Sequence, residues 1–399
     1  MFYYFFELLI AYFNASLALL RVFVLGFCYA IREFYTDYTG NLKFVPKNKL
    51  FQSKVAEWKK SLLQLNGDIE RKTKRNEGEE VQQNDHQQNS LIAVLTGGDG
   101  TIGSEILDYL LSLDFFVFVI GMNAPQLGSD RMLFVPCDLS DKNQVFEAVE
   151  SVLLGCSHVD LLVLNAAMML CPDAGAFAFP LFYFFPPPSL FGWLPFRIGR
   201  FGCSIIEPHL AVNVLANAQL FASFAGRLEC SRFRSPRAVF LSSCTAHAGE
   251  LSLLLENEEK FWCRRINDYK SYADSKLLLS IYVKHLSHIL KIRQSKIAVV
   301  SVHPGVVPGK LYRNVFWPFR LFINGFLRPF LRSPLLAATR VLDVAFSDDL
   351  REGAYYEDSR VTALKCADDP EFVWSVGTSV RDMIVDSNEN SFNKSESTE

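Results

Sequence analysis

The chain has 399 residues, enough for one large α/β domain with appendages. Its 40 Lys and Arg stand against 43 Asp and Glu, so no basic field points to nucleic acid. Half of the residues are hydrophobic and 35 are Phe, a load that implies either a very large core or contact with lipid.

In chain order, residues 2–31 are overwhelmingly apolar and long enough to cross a bilayer core of about 30 Å, which needs ~20 apolar residues. No basic segment precedes them, and the run exceeds the roughly 7 to 15 residues of a signal-peptide core, so 1–35 reads as an uncleaved membrane anchor. Arg32, Lys43, Lys47, Lys49, Lys54, Lys59 and Lys60 follow the run, with only Glu7 near its start, which sets the main body in the cytosol. Residues 36–90 read as a linker, amphipathic at first and from 66 too polar to bury a core. The nine cysteines lie scattered at 28, 137, 156, 171, 203, 230, 244, 263 and 366 with no CxxC pair, which fits a reducing compartment rather than a disulfide framework.

From residue 91 to 375, continuous apolar runs alternate with helix-like stretches: 91–95, 115–120, 132–135, 159–164, 237–241 and 297–302. Unbroken apolar runs mark strands buried on both faces, and their spacing leaves room for crossover helices. The prediction is α/β, a doubly wound parallel sheet of Rossmann type preceded by a membrane-spanning helix. Residues 376–399 read as a tail.

The first run leads into Thr96, Gly97, Gly98, Asp99, Gly100, Thr101, Ile102 and Gly103, followed by a helix-forming segment. Glycines there let the chain turn tightly, let a pyrophosphate approach the backbone and let the helix pack closely, with its N-terminus facing the anion. Gly98, Gly100 and Gly103 spell GxGxxG in strand-loop-helix context. No carboxylate ends the second strand, and no Arg stands ready for a 2′-phosphate, so NAD against NADP stays open with Asn123 nearest the question.

The strongest chemical signal is Tyr272-Ala273-Asp274-Ser275-Lys276 on a helix. Residues four apart share a face, so Lys276 brings a cation toward the Tyr272 phenol and makes it a usable general acid/base. Ser243 follows the run 237–241 at the sheet edge where open α/β folds bind ligands, positioned either to donate to a substrate oxygen or to cap a helix. His285 and His288 lie three apart without a third ligand, so no metal is expected.

The order of these motifs, with Cys137-Asp138-Leu139, Asn165-Ala166-Ala167, Asn213 and His303-Pro304-Gly305, resembles the short-chain dehydrogenase/reductase family over about residues 91–360. The resemblance implies a nicotinamide cofactor, NAD or NADP, with Asp138 and Leu139 at the adenine. It implies that Asn165, Ala166 and Ala167 flank the cofactor, as do Pro304, Gly305 and Val307. Asn213 would hold a water that passes protons to Lys276. Two departures bear on cofactor grip: Thr101 stands where the usual pattern has Gly, and Gly309 where a Thr often contacts the nicotinamide. The run from His303 to Trp317, with the insertion between Ser243 and Tyr272, is similar to the membrane-associated member X dehydrogenases. That kinship implies a polyprenol or dolichal substrate and a place at the endoplasmic reticulum. A retinol or steroid dehydrogenase is the rival within the family. From another class, a non-catalytic lipid- or nucleotide-binding scaffold is the other.

Residues 171–208 insert eight Phe, one Trp and seven Pro, and 315–331 mixes aromatics with Arg320 and Arg328. Such segments pack on the core or meet a bilayer interface. Self-association is left open.

Overall fold

A computed structural model describes residues 2–65, 90–171, 200–201, 204–263, 268–315 and 317–395, without the side chains of 2–19, 386–395 and a few residues at segment edges. Most of the Phe/Pro insertion, and the polar part of the linker, therefore lie outside the described residues.

The sheet forms where the apolar runs predict it. Its strands are β1 (Leu91–Thr96), β2 (Phe115–Gly121), β3 (Met132–Pro136), β4 (Leu161–Leu164), β5 (Arg237–Leu241), β6 (Ala298–His303), β7 (Tyr355–Glu357) and β8 (Arg360–Thr362). Their order is β8-β7-β6-β5-β4-β1-β2-β3, parallel except for the final β7–β8 pair. Ala93 aligns with Leu161 on one side while Leu91 aligns with Phe115 on the other, so the chain reverses its winding at β1 and opens a crevice at that strand's C-terminal end. Ala93, Val94 and Leu95 are wholly buried, each large side chain contributing about 1.5–3 kcal/mol by leaving water.

Helices cover both faces. On one lie α4 (Lys142–Gly155), α5 (Asn217–Glu229), α6 (Asp268–Ile292) and α8 (Pro370–Ser395); on the other lie α2 (Lys47–Leu65), α3 (Gly103–Ser112) and α7 (Pro334–Ala345). Two expectations change here. Residues 47–65 are no linker but a docked helix: Trp58 is buried, its Nε1 donates to Asp343 Oδ1 at 3.1 Å, and Phe51 stacks on Tyr109. The tail expected from 376 continues α8, with Val376 and Val380 wholly buried.

The apolar N-terminal run lies within α1 (Phe2–Thr39), a 38-residue helix. Among the described residues no helix is long and apolar enough to cross a membrane. From Val22 onward α1 is committed to the α/β body: Val22, Ala30, Glu33 and Asp37 are buried against it. Residues 22–31, counted in the sequence as part of a span, instead use one face for protein contact because Glu33 and Asp37 find charged partners far along the chain.

Candidate active site

The loop from Thr96 to Gly103 joins β1 to α3 and is shaped by contacts that only glycine permits. Gly97 has φ +68°, and a Cβ on Gly103 would lie 2.1 Å from the Gly97 carbonyl oxygen. Asn165, just past β4, donates from Nδ2 to the carbonyls of Thr96 and Gly97 at 2.9 and 3.1 Å, while the Ala166 N–H donates to Thr96 Oγ1. Gly97, Gly100, Thr101, Ile102 and Gly103 line a cavity of about 810 Å³. Thr96 is buried outside that wall and Gly98 packs on Val119, so both shape the loop from behind.

Thr101 and Gly309, the two departures noted in the sequence, meet each other. A Cβ on Gly309 would lie 2.2 Å from Thr101 Oγ1, and that oxygen accepts the Lys310 N–H at 2.9 Å. Thr101 thus occupies the space that a side chain at 309 would need.

A carboxylate that the strand-end reading missed also enters here. Asn123 Nδ2 donates to Asp99 Oδ2 at 3.3 Å, which brings the loop's Asp99 to the end of β2, and Lys310 Nζ donates to the Asp99 carbonyl. The signal was in the sequence, inside the glycine loop rather than on the strand.

Tyr272 and Lys276 lie on α6 and, with Ser243, line the same cavity. Lys276 Nζ donates to the Leu241 carbonyl at 2.8 Å and lies 5.8 Å from the Tyr272 ring centre. Complete burial lowers the ammonium to about 7. Ser243 caps a short helix by accepting the Thr245 N–H, yet a capping hydroxyl keeps its own hydrogen to donate, so capping and substrate contact are compatible. Asn213 stands behind the wall in a π-helical turn: its Oδ1 accepts from Met168 N at 2.8 Å and its Nδ2 donates to Ser275 Oγ. Asp138 lines the cavity and accepts from Ser140, beside Leu139; Asn123, Asn165, Ala166 and Ala167 complete that side.

The loop after β6 carries Pro304, Gly305 and Val307 onto the wall, and α1 holds it from behind. Glu33 Oε2 accepts the Val306 N–H at 2.7 Å while Oε1 pairs with His303 Nε2 at 2.8 Å. Arg332, wholly buried, forks onto Asp37 at 3.1 Å through two nitrogens and reaches the Pro304 carbonyl. Burial pushes the His303 imidazole down, but Cys244 and the Glu33 carboxylate outweigh it and raise it to about 10. Burial likewise opposes ionisation of Glu357, yet His247, His303, Arg32 and Tyr355 hold it down to about 2.

Residues 91–178 match the short chain dehydrogenase family model. The chain is 27% identical over 290 residues to polyprenol dehydrogenase of Danio rerio, covering 69% of this chain and 81% of that one. It is 26% identical over 289 residues to retinol dehydrogenase 12 of Bos taurus, covering 68% and 78%. By these matches the chain is similar to the short-chain dehydrogenase/reductase family. A solved structure of an uncharacterized protein from Mycobacterium paratuberculosis shares the fold, with TM-score 0.52, 17% identity, and cover of 75% of this chain and 96% of that one.

This likeness to dehydrogenases makes it an oxidoreductase that depends on a nicotinamide cofactor. The residues present fit such a group: Gly97, Gly100 and Gly103 let the loop fold tightly on itself with its backbone on the cavity wall, and α3 begins at that wall with the positive end of its dipole, which suits a pyrophosphate. What the sequence did not disclose is the contribution of α1, because Val22, Phe23, Gly26, Phe27 and Ala30 line the same cavity from a segment that reads as lipid-embedded.

Proposed function

We propose that this dehydrogenase interconverts an alcohol and its carbonyl on an apolar lipid of polyprenol or dolichal type, with Tyr272 as general acid/base. One observation carries the reading: a single cavity is lined by the glycine loop, by Ser243, Tyr272 and Lys276, and by apolar side chains such as Met169, Leu311, Phe319 and Leu327. The bound nicotinamide supplies or accepts the hydride. Gly97, Gly100, Thr101, Ile102 and Gly103 would hold its pyrophosphate, with Asp138 and Leu139 at the adenine and Asn165, Ala166, Ala167, Pro304, Gly305 and Val307 along its length.

The Ser243 hydroxyl donates to the substrate oxygen and fixes it beside the Tyr272 phenol, which gives that oxygen a proton in reduction and takes one in oxidation. Lys276, buried under the phenol, favours the phenolate when it carries its charge. Asn213 acts through Ser275 and Met168, keeping the helical turn from Tyr272 to Ser275 and the strand-end loop in register.

Asp99 beside Asn123 supports a preference for NAD(H), since a carboxylate there suits ribose hydroxyls and repels a 2′-phosphate. We also read the protein as membrane-associated, at the endoplasmic reticulum with its catalytic body toward the cytosol. In support, Leu20, Val24, Phe27 and Ile31 form an exposed apolar stripe on α1, and Trp317, Leu321 and Phe326 are exposed nearby with Arg320 and Arg328 among them.

The test offers polyprenol, retinol and hydroxysteroid with each nucleotide to the full chain in detergent. Polyprenol turnover is expected, and Tyr272→Phe should lower it by about 10²–10⁴-fold while nucleotide still binds. Turnover confined to retinol or steroid removes the isoprenoid substrate, and nucleotide binding without any turnover leaves a scaffold.

A further inference from the structure

The family model begins at residue 91, yet the wall beside the tyrosine is completed by a helix that precedes it. Positions 22, 26, 30, 33 and 37 follow one face of α1, and all but one are buried: Val22 at 7% exposure, Ala30 at 9%, Glu33 and Asp37 at 1%. The exception is Gly26, half-buried between Val22 and Ala30. A Cβ built there meets no described atom within 4 Å, although the face is turned toward the protein. Glycine inside a helix weakens it. Neither a positive φ nor a close backbone approach requires it here. What it leaves is room, and Gly26 lines the cavity.

One turn earlier, Phe23 seals the same wall. Its ring lies 5.4 Å from Tyr269 and 4.8 Å from Phe319, and it packs against the cluster of Met169, Tyr269, Tyr272 and Val315. Phe27, one turn on from Phe23 and on the same side of the helix, also lines the cavity. A gap thus lies along α1 at Gly26, among Val22, Phe23, Phe27 and Ala30, in the wall of the cavity that Tyr272 also lines. We infer that α1 is the tail-binding wall of the substrate cavity, and that the missing side chain at Gly26 sets the width through which an apolar chain leaves the Tyr272 end. This rests on the apolar-substrate reading above and adds a residue that fixes which tails fit.

The experiment compares kcat/KM for geraniol and for a long-chain polyprenol in the full-length protein and in Gly26→Phe, with melting temperature and nucleotide affinity measured alongside. The expected result is a fall of about tenfold or more in the long-to-short ratio, the scale on which a crowded apolar pocket discriminates, at unchanged melting temperature and nucleotide affinity. An unchanged ratio means the gap opens away from the tail and overturns the inference. If Gly26→Phe unfolds the protein, Gly26→Ala decides: a smaller fall in the same ratio supports the inference, whereas unfolding there too shows the gap filled by the chain itself and overturns it. Should the unmodified protein turn over neither alcohol, the apolar-substrate reading fails first, and the inference with it.

Discussion

Thr101 and Gly309 behave as one feature split over 208 positions of sequence, because the space for a Cβ at 309 is already taken by the hydroxyl of 101. Restoring the more usual Thr at 309 alone therefore creates a clash. Gly309→Thr is expected to cost about 1–3 kcal/mol of stability or nucleotide affinity by overpacking. Adding Thr101→Gly should return most of it, and melts with and without NADH would show the coupling; simple additivity would mean that the two positions act independently. Asp99 lends itself to a second test at this scale. NAD(H) should bind more tightly than NADP(H), and Asp99→Asn should narrow the difference by roughly tenfold, the effect of removing one close like charge from a partly solvated site. Equal affinities in the unmodified protein would remove the case for Asp99.

A single helix, α1, depends on charges that it does not itself neutralise. Glu33 needs His303, Asp37 needs Arg332, and Glu357 gathers Tyr29, Arg32, His247 and Tyr355. The pH dependence follows from these pairs. His303, raised from 6.5 to about 10, contributes stability that is complete below 6.5 and is lost as pH climbs through 10. Glu357, lowered from 4.5 to about 2, contributes above 4.5 and loses its share as pH falls through 2. The helix is accordingly seated most firmly between 4.5 and 6.5. Lys276 works in the opposite sense, because its depressed value of about 7 against 10.5 makes the fold gain stability as pH rises between them. A local measurement separates the two. Hydrogen exchange of amides in 29–39, corrected for intrinsic rates, should accelerate from pH 6.5 to 10 by no more than roughly 1.4 kcal/mol of opening free energy per pH unit. His303→Gln should flatten the profile, and a flat profile in the unmodified protein would contradict the assignment.

Elements also differ in how far the sequence discloses them. The long strands are legible because their apolar runs are unbroken, five of them buried on both faces and β3, at the sheet edge, only in part. Strands β7 and β8 are not, since three residues each give no periodicity and the buried Glu357 looks like a surface charge until its four partners are in place. α1 misleads for a related reason: Glu33 and Asp37 read as the polar end of a span, and nothing nearby reveals that their counter-charges lie 270 and 295 positions away.

For the molecule as a whole, the order of motifs discloses a nicotinamide enzyme while hiding half of its cavity. Tyr272, Lys276, Ser243 and the glycine loop announce themselves by spacing, and they converge because the chain reverses direction at β1. The apolar half draws on α1, on the stretch after β6 and on Met169, which share no pattern that a linear reading would join. Arg332 ties these remote pieces together, bonding Asp37, the Pro304 carbonyl and Asp358 at once. During synthesis, then, α1 emerges long before it can be seated, since the charged groups that pair with it lie at residues 303 to 358. Until residues 303 to 358 have emerged and paired, its inward face has nowhere to go, and a truncated product ending before Arg332 would carry that face bare.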